Sequence, residues 1–251
     1  MNKSNGGPSK GLNAKAVGWA TILWLAMGAG SAVWLLGLRS WVPNWGGIPN
    51  TALTTLFFLA AAAVTKARVP ARYQWSMVAG LGFSAVGDAF LMQRRDCFVA
   101  GLGSFLVAHL CYLWALTSDS RLAQRKLPFA VYGVVAVGLV FWLWPQVPRT
   151  LGLPVSLYAA TIVTMAAQAA SRALSKRDFG AALAAMGAAL FVVSDAALAA
   201  QRFGHSLKCE HFIVLSTYFG AQAGLALSVV FHGDLFSPTQ QKAKGAFHHG
   251  Q

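Results

Sequence analysis

Acidic residues are scarce in this chain: 7 aspartates and glutamates stand against 20 lysines and arginines in 251 residues. Cysteine is scarce as well. Cys97, Cys111 and Cys209 are too few for a disulfide framework, and with no CxxC or Cys/His spacing they do not outline a zinc site, so they read as structural thiols. The histidines at 109, 205, 211, 232, 248 and 249 show no HExxH pattern, and no metal is expected. No GxSxG elbow is present and no serine has a triad context, which argues against an acyl-enzyme hydrolase. The GLG at 101–103 lies inside an apolar run and is no phosphate loop, so no cofactor is expected either.

What the chain has in abundance is hydrocarbon. Hydrophobic residues make up 56% and charged residues 11%, with a mean hydropathy of +0.53, outside the balance of a soluble domain. A net charge of +13 would suggest nucleic acid in a soluble protein. Here the basic residues fall between apolar runs, where membrane topology places them, and nucleic-acid binding is rejected.

A bilayer core needs about 20 apolar residues per helix. Eight runs qualify: Val17–Gly37, Ile48–Thr65, Gln74–Met92, Phe98–Thr117, Leu127–Trp144, Leu151–Ser171, Gly180–Gln201 and His211–Phe231. They are separated by turn formers and charge, as in TKARVPARY and SDSRLAQRKLP. The expected fold is therefore all-α, a polytopic integral membrane bundle of eight transmembrane helices over residues 17–231. A basic tail (1–16) precedes it, and a polar tail (232–251), read as disordered, follows. With the N terminus cytoplasmic, alternate loops collect fourteen Lys and Arg on that side and six on the other, which puts both termini in the cytoplasm. Nothing in the spans specifies an oligomeric state. The topology fits a bacterial cytoplasmic membrane or an endoplasmic reticulum membrane.

Ionisable side chains inside such runs are the functional candidates, because a charge near the bilayer centre costs at least ~2.5–3.5 kcal/mol. Asp88 stands near the outer end of the third span and Asp195 in the outer half of the seventh. In the fourth span Gly101, Phe105, His109 and Tyr112 form one stripe, and in the eighth His211, Tyr218 and Gln222 form another. Ser84 lies one turn from Asp88, and Ser194 adjoins Asp195. These faces converge on one polar cavity if spans three, four, seven and eight are neighbours. His109, deeper by nearly two turns, suits the cavity floor. Tyr112 and Tyr158 read as packing residues with satisfied hydroxyls. Asp96 and Glu210 read as helix caps, and Asp119, Asp178 and Asp234 as loop or helix-end residues. Gly80, Gly82, Gly87, Gly101 and Gly103 read as sites of close helix packing.

The stretches SAVGDAFLM, FVAGLGSFLVAHLCYLWAL, GAALFVVSDAALAAQRF and LSTYFGAQAGLALSV, in this order, resemble the paired motifs of the YhhN-like lysoplasmalogenase family over roughly residues 50–232. The resemblance implies an eight-helix bundle that hydrolyses the vinyl ether bond of lysoplasmalogens to a fatty aldehyde and a glycerophospho-headgroup. It implies Asp88 and Asp195 as the catalytic pair, with His109, Tyr218 and Gln222 at further motif positions; Ser84, Tyr112 and Tyr158 are expected in the same substrate pocket from the reading of the residues themselves. The implied partners are a lysophospholipid substrate and membrane lipid. Many members open the second helix with Lys-Pro, whereas this chain reads PNTALTTLFF, with Asn50 or Thr51 in the lysine's place. Vinyl ether hydrolysis needs an acid and a base, and two carboxyl groups, one carrying a proton and one ionised, supply both. The alternative is a proton-coupled transporter with the aspartates as its relay, suggested also by the echo between SAVGDAFLM and LFVVSDAAL.

Overall fold

The computed structural model describes residues 69–91, 97–204 and 210–232. The first two expected spans lie outside it, as do the N-terminal tail, the residues beyond 232, Cys209, Asp96 and Asp234. The six other expected spans correspond to the helices α1 (Ala71–Leu91), α2 (Phe98–Leu116), α3 (Lys126–Leu143), α4 (Gly152–Lys176), α5 (Phe179–Arg202) and α6 (Glu210–Val230), and no strand occurs among the described residues. Two short 3-10 turns, Trp144–Gln146 and Arg149–Leu151, join α3 to α4 around Pro145 and Pro148. Five of the helices are long and apolar enough to cross a membrane. α1, which carries Arg72, Gln74 and Asp88, is not among them.

The helices pack as two tight hairpins, α1 with α2 and α5 with α6, joined where α1 meets α6. α4 fills the space between them, lying on α2 and α5, and α3 is peripheral, resting on α4 and scarcely touching α5. The buried stripe of α1 runs Tyr73, Met77, Gly80, Leu81, Ser84, Gly87 and Asp88, spacings of three and four that keep one helix face inward.

Close approach in the α5–α6 hairpin depends on two glycines. A Cβ on Gly187 would lie 2.8 Å from the Ala221 carbonyl oxygen, and one on Gly224 2.8 Å from that of Leu183. The GAQAG of residues 220–224 is the small-residue pattern that permits such contact. Gly80, Gly87 and Gly101 do sit against neighbouring side chains, those of Tyr112, Phe105 and Leu91. Gly103 does not: among the described residues nothing lies within 4 Å of a Cβ placed there, and these residues give it no packing role.

One end of the bundle is tied by polar groups. Gln168 of α4 accepts from the Ala123 amide at 3.0 Å and donates to Ser120 at 3.0 Å, and Ser171 accepts from the Arg125 amide at 2.8 Å, so the 117–125 loop is fastened to α4. The sixth span runs on to Lys176, which brings Arg172, expected in a loop, into the helix with 1% of its surface exposed. Its guanidinium grips both oxygens of Asp119 at 2.8 Å, and Lys176 and the His232 Nε2 lie 3.2 and 3.1 Å from Oδ2. His232 stacks on Tyr73, whose hydroxyl meets that of Ser228 at 2.7 Å. Asp119, read as a loop residue without a task, is the hub of this cluster. Asp178 caps α5, accepting from the Ala181 amide at 2.6 Å.

Candidate active site

Asp88 sits three residues before the end of α1 and is 5% exposed. The Tyr218 hydroxyl of α6 donates to its Oδ2 at 2.7 Å. Tyr218 in turn accepts from the Gln222 amide nitrogen at 2.7 Å, since residues one turn apart share a helix face. The Gln222 carbonyl oxygen accepts from the Tyr112 hydroxyl of α2 at 3.1 Å, and Ser84 of α1 lies 3.1 Å from that hydroxyl. With the single Tyr112 proton committed to Gln222, Ser84 is the donor in this last pair. The result is a directed chain, Ser84 to Tyr112 to Gln222 to Tyr218 to Asp88, with every donor aimed toward the carboxylate and every side chain buried.

Asp195, seven residues before the end of α5, has a phenol partner of its own: the Tyr158 hydroxyl of α4 donates to Oδ2. The setting differs from that of Asp88. Asp195 and Tyr158 are the carboxyl and phenol on the wall of an incompletely enclosed apolar cleft of about 100 Å³, lined by α3, α4 and α5, by Phe98, Leu102 and Phe105 of α2 and by Leu91 of α1. Asp88 is not on that wall.

Between the two carboxylate–phenol pairs lies a cluster of rings. Phe191 of α5 makes edge contacts with Tyr218 at 5.5 Å and with His109 at 4.8 Å, and His109 meets Tyr158 at 5.3 Å. Phe105 packs its edge against Tyr218 at 6.1 Å. His109 is fully buried; the Phe105 carbonyl one turn back approaches its ring, but among the described residues neither ring nitrogen completes a hydrogen bond of ordinary geometry. Ser194 turns away from this centre and donates to the Val214 carbonyl at 3.1 Å.

The residues singled out in the sequence thus fall into two connected groups, Ser84, Tyr112, Gln222, Tyr218 and Asp88 in one and Tyr158 and Asp195 in the other, with His109 between. The stripes expected on the fourth and eighth spans do face each other through Tyr112 and Gln222. Phe191, which with Phe105 of the fourth-span stripe holds the groups apart, went unread because nothing in an apolar run distinguishes the phenylalanine that faces a polar site.

Apolar helices long enough to span a bilayer, packed round two carboxylates that are each held by a phenol, define a multi-pass membrane protein with an internal acidic site. The model of the YhhN family matches residues 50–229, and the chain belongs to that family. It is 29% identical over 187 residues to lysoplasmalogenase TMEM86B of Sus scrofa, covering 74% of this chain and 76% of the relative. It is 30% identical over 201 residues to the lysoplasmalogenase of Mycobacterium bovis, covering 75% and 74%, and 34% identical over 155 residues to lysoplasmalogenase TMEM86A of Homo sapiens, covering 60% and 63%. No solved structure matches the chain.

Proposed function

We propose that this protein is a membrane-embedded lysoplasmalogenase that hydrolyses the vinyl ether bond of a single-chain glycerophospholipid with Asp88 and Asp195 as its acid–base pair. The observation that carries the reading is the placement of Asp195 and its Tyr158 partner on an otherwise apolar cleft, in a chain whose relatives bear that enzyme's name. Hydrolysis starts when a proton is delivered to the β-carbon of the enol ether, leaving an oxocarbenium ion. Water adds to the adjacent carbon and loses a proton, and the hemiacetal collapses to a fatty aldehyde and the glycerol hydroxyl of the headgroup. One water is consumed, and the catalytic proton is returned.

The acid must touch hydrocarbon, which suits Asp195. The base must accept a proton, and a carboxylate at the end of a chain of donors suits that task, which favours Asp88 as the group that takes the proton from water. Release of aldehyde from a lysoplasmalogen by the purified protein tests the proposal. Substrate flux into sealed proteoliposomes without aldehyde release would instead establish the carrier reading, for which a directed hydrogen-bond chain is also apt.

A further inference from the structure

We infer that the cleft against α3, α4 and α5 is the hydrocarbon subsite of this reaction, that it admits one chain at a time, and that the chain leaves it sideways past α3, the loosely held wall. The inference rests on the proposed function for the identity of the reacting bond, and on the cleft itself for the rest.

The walls decide the chemistry of the occupant. α3 contributes Ala136, Leu139, Val140 and Leu143, one face of a helix whose opposite face exposes Val134, Val137 and Phe141. Ile162 and Val163 of α4 and Val192 of α5 close the inner end. A surface whose polar side chains are one carboxyl and one phenol recognises hydrocarbon with a reactive group at a fixed point along it. A volume of about 100 Å³ is smaller than the ~150 Å³ cavity that takes a single benzene, so two chains do not fit side by side.

Depth decides the route. At ~1.5 Å per residue, Asp195 lies ~10 Å below the end of α5, and Val192, at the bottom of the wall, only ~4.5 Å deeper. A lipid tail reaches through half of a hydrocarbon core ~30 Å thick, about three times that remaining depth. A tail whose first carbons lie at Asp195 therefore cannot be housed straight down and must turn out of the cleft. The loosest wall is α3 itself, which scarcely touches α5 and touches α2 even less, and the residue that α3 presents at the depth of Asp195 is Ala136, the smallest on its face.

The test is Ala136→Phe, with Val137→Phe on the outward face of the same helix as its control. The ratio of kcat/KM for a long-chain to a short-chain vinyl ether lysolipid should fall about tenfold or more in Ala136→Phe, the discrimination that a filled apolar pocket supplies, and stay at the parental value in Val137→Phe. An unchanged ratio in Ala136→Phe, or an equal fall in both variants, overturns the subsite. The unsubstituted protein gives a second, independent measurement through a saturated-ether lysolipid bearing a photoreactive group in mid-chain. Crosslinks to α3 and to the α5 or α2 residues beside it that are displaced by excess unlabelled ether lipid support the subsite even where no vinyl ether is cleaved, in which case the proposed reaction alone fails. Crosslinks confined to other helices in a protein that does cleave the substrate overturn the subsite and leave the reaction standing.

Discussion

Removal of the Tyr218 hydroxyl deprives Asp88 of its phenol donor at 2.7 Å and leaves the Gln222 amide without its acceptor. A hydrogen bond to a charged group contributes ~1.5–3 kcal/mol, so Tyr218→Phe is expected to lower kcat by about tenfold to a hundredfold while the ring keeps its packing on Phe191. Aldehyde release under single-turnover conditions measures this. Asp88→Asn and Asp195→Asn should each abolish nearly all hydrolysis with the helical content unchanged, and the double variant should be scarcely worse than either single, because groups that serve one step are not additive. Full turnover retained by both single variants would refute the two-carboxylate mechanism. The two aspartates were legible as candidates in the sequence because an ionisable group in an apolar run is expensive. Their partners were not, since Tyr158 and Asp195 are 37 residues apart and Tyr218 and Asp88 are 130 apart, and no spacing along a chain reports how two helices are rotated against each other.

Helix ends and helix contacts set the behaviour of whole elements. Gly224→Leu forces a side chain against the α5 backbone, where even a Cβ would meet the Leu183 oxygen at 2.8 Å. Overpacking of this kind costs about 1–3 kcal/mol, and thermal unfolding in detergent should show a lowered midpoint, whereas Gly103→Leu, into open space, should not. The cluster beyond α2, α4 and α6 predicts a pH dependence. His232 accepts from Arg172 through Nδ1 at 3.3 Å and offers Nε2 to Asp119, the pattern of a neutral imidazole. Burial first, and then the Arg172 charge and that of Lys176, push its pKa below the ordinary 6.5, against the opposing pull of Asp119 and Asp178. Because the folded protein holds this proton less tightly than the unfolded chain does, the stability is present above about pH 6.5 and is lost as the pH falls through the lowered folded value. For Asp119, burial raises the carboxyl, but the Arg172 hydrogen bond and charge, helped by Lys176, bring it below the ordinary 3.8. Its contribution is therefore lost only in stronger acid. The melting midpoint should hold from pH 8 to 6.5 and decline below it, and His232→Gln, which supplies one donor and one acceptor without titrating, should flatten that decline. The six described helices were legible to within about five residues at their ends. The inward turn of Arg172 was not, because a basic residue at the end of an apolar run reads as a loop charge until its carboxylate partner is seen.

At the scale of the molecule, α1 begins and α6 ends at the same face, where the Tyr73 and His232 rings stack 4.8 Å apart, so the described helices enter and leave on one side. With the two further spans expected upstream, reporters fused to the N and C termini should both report the cytoplasm, and opposite reports would refute the eight-span topology. Hydropathy and the alternation of basic loops made the order of helices readable, since both are properties of single segments facing lipid. The arrangement of those helices round α4, and the peripheral place of α3, depend on contacts between segments and were not readable.

The half-open apolar cleft bears on the fate of what is made there. In the proposed reaction, cleavage of an enol ether at Asp195 would divide one amphiphile into two pieces of opposite solubility, a greasy aldehyde with its end among Leu139, Val140 and Ile162, and a charged glycerophosphodiester with no affinity for those walls. The first drains into the bilayer and the second into water, so the fragments part into separate phases as soon as they form. Their recombination would then require a meeting across an interface, so the proposed hydrolysis at this cleft would run in one direction.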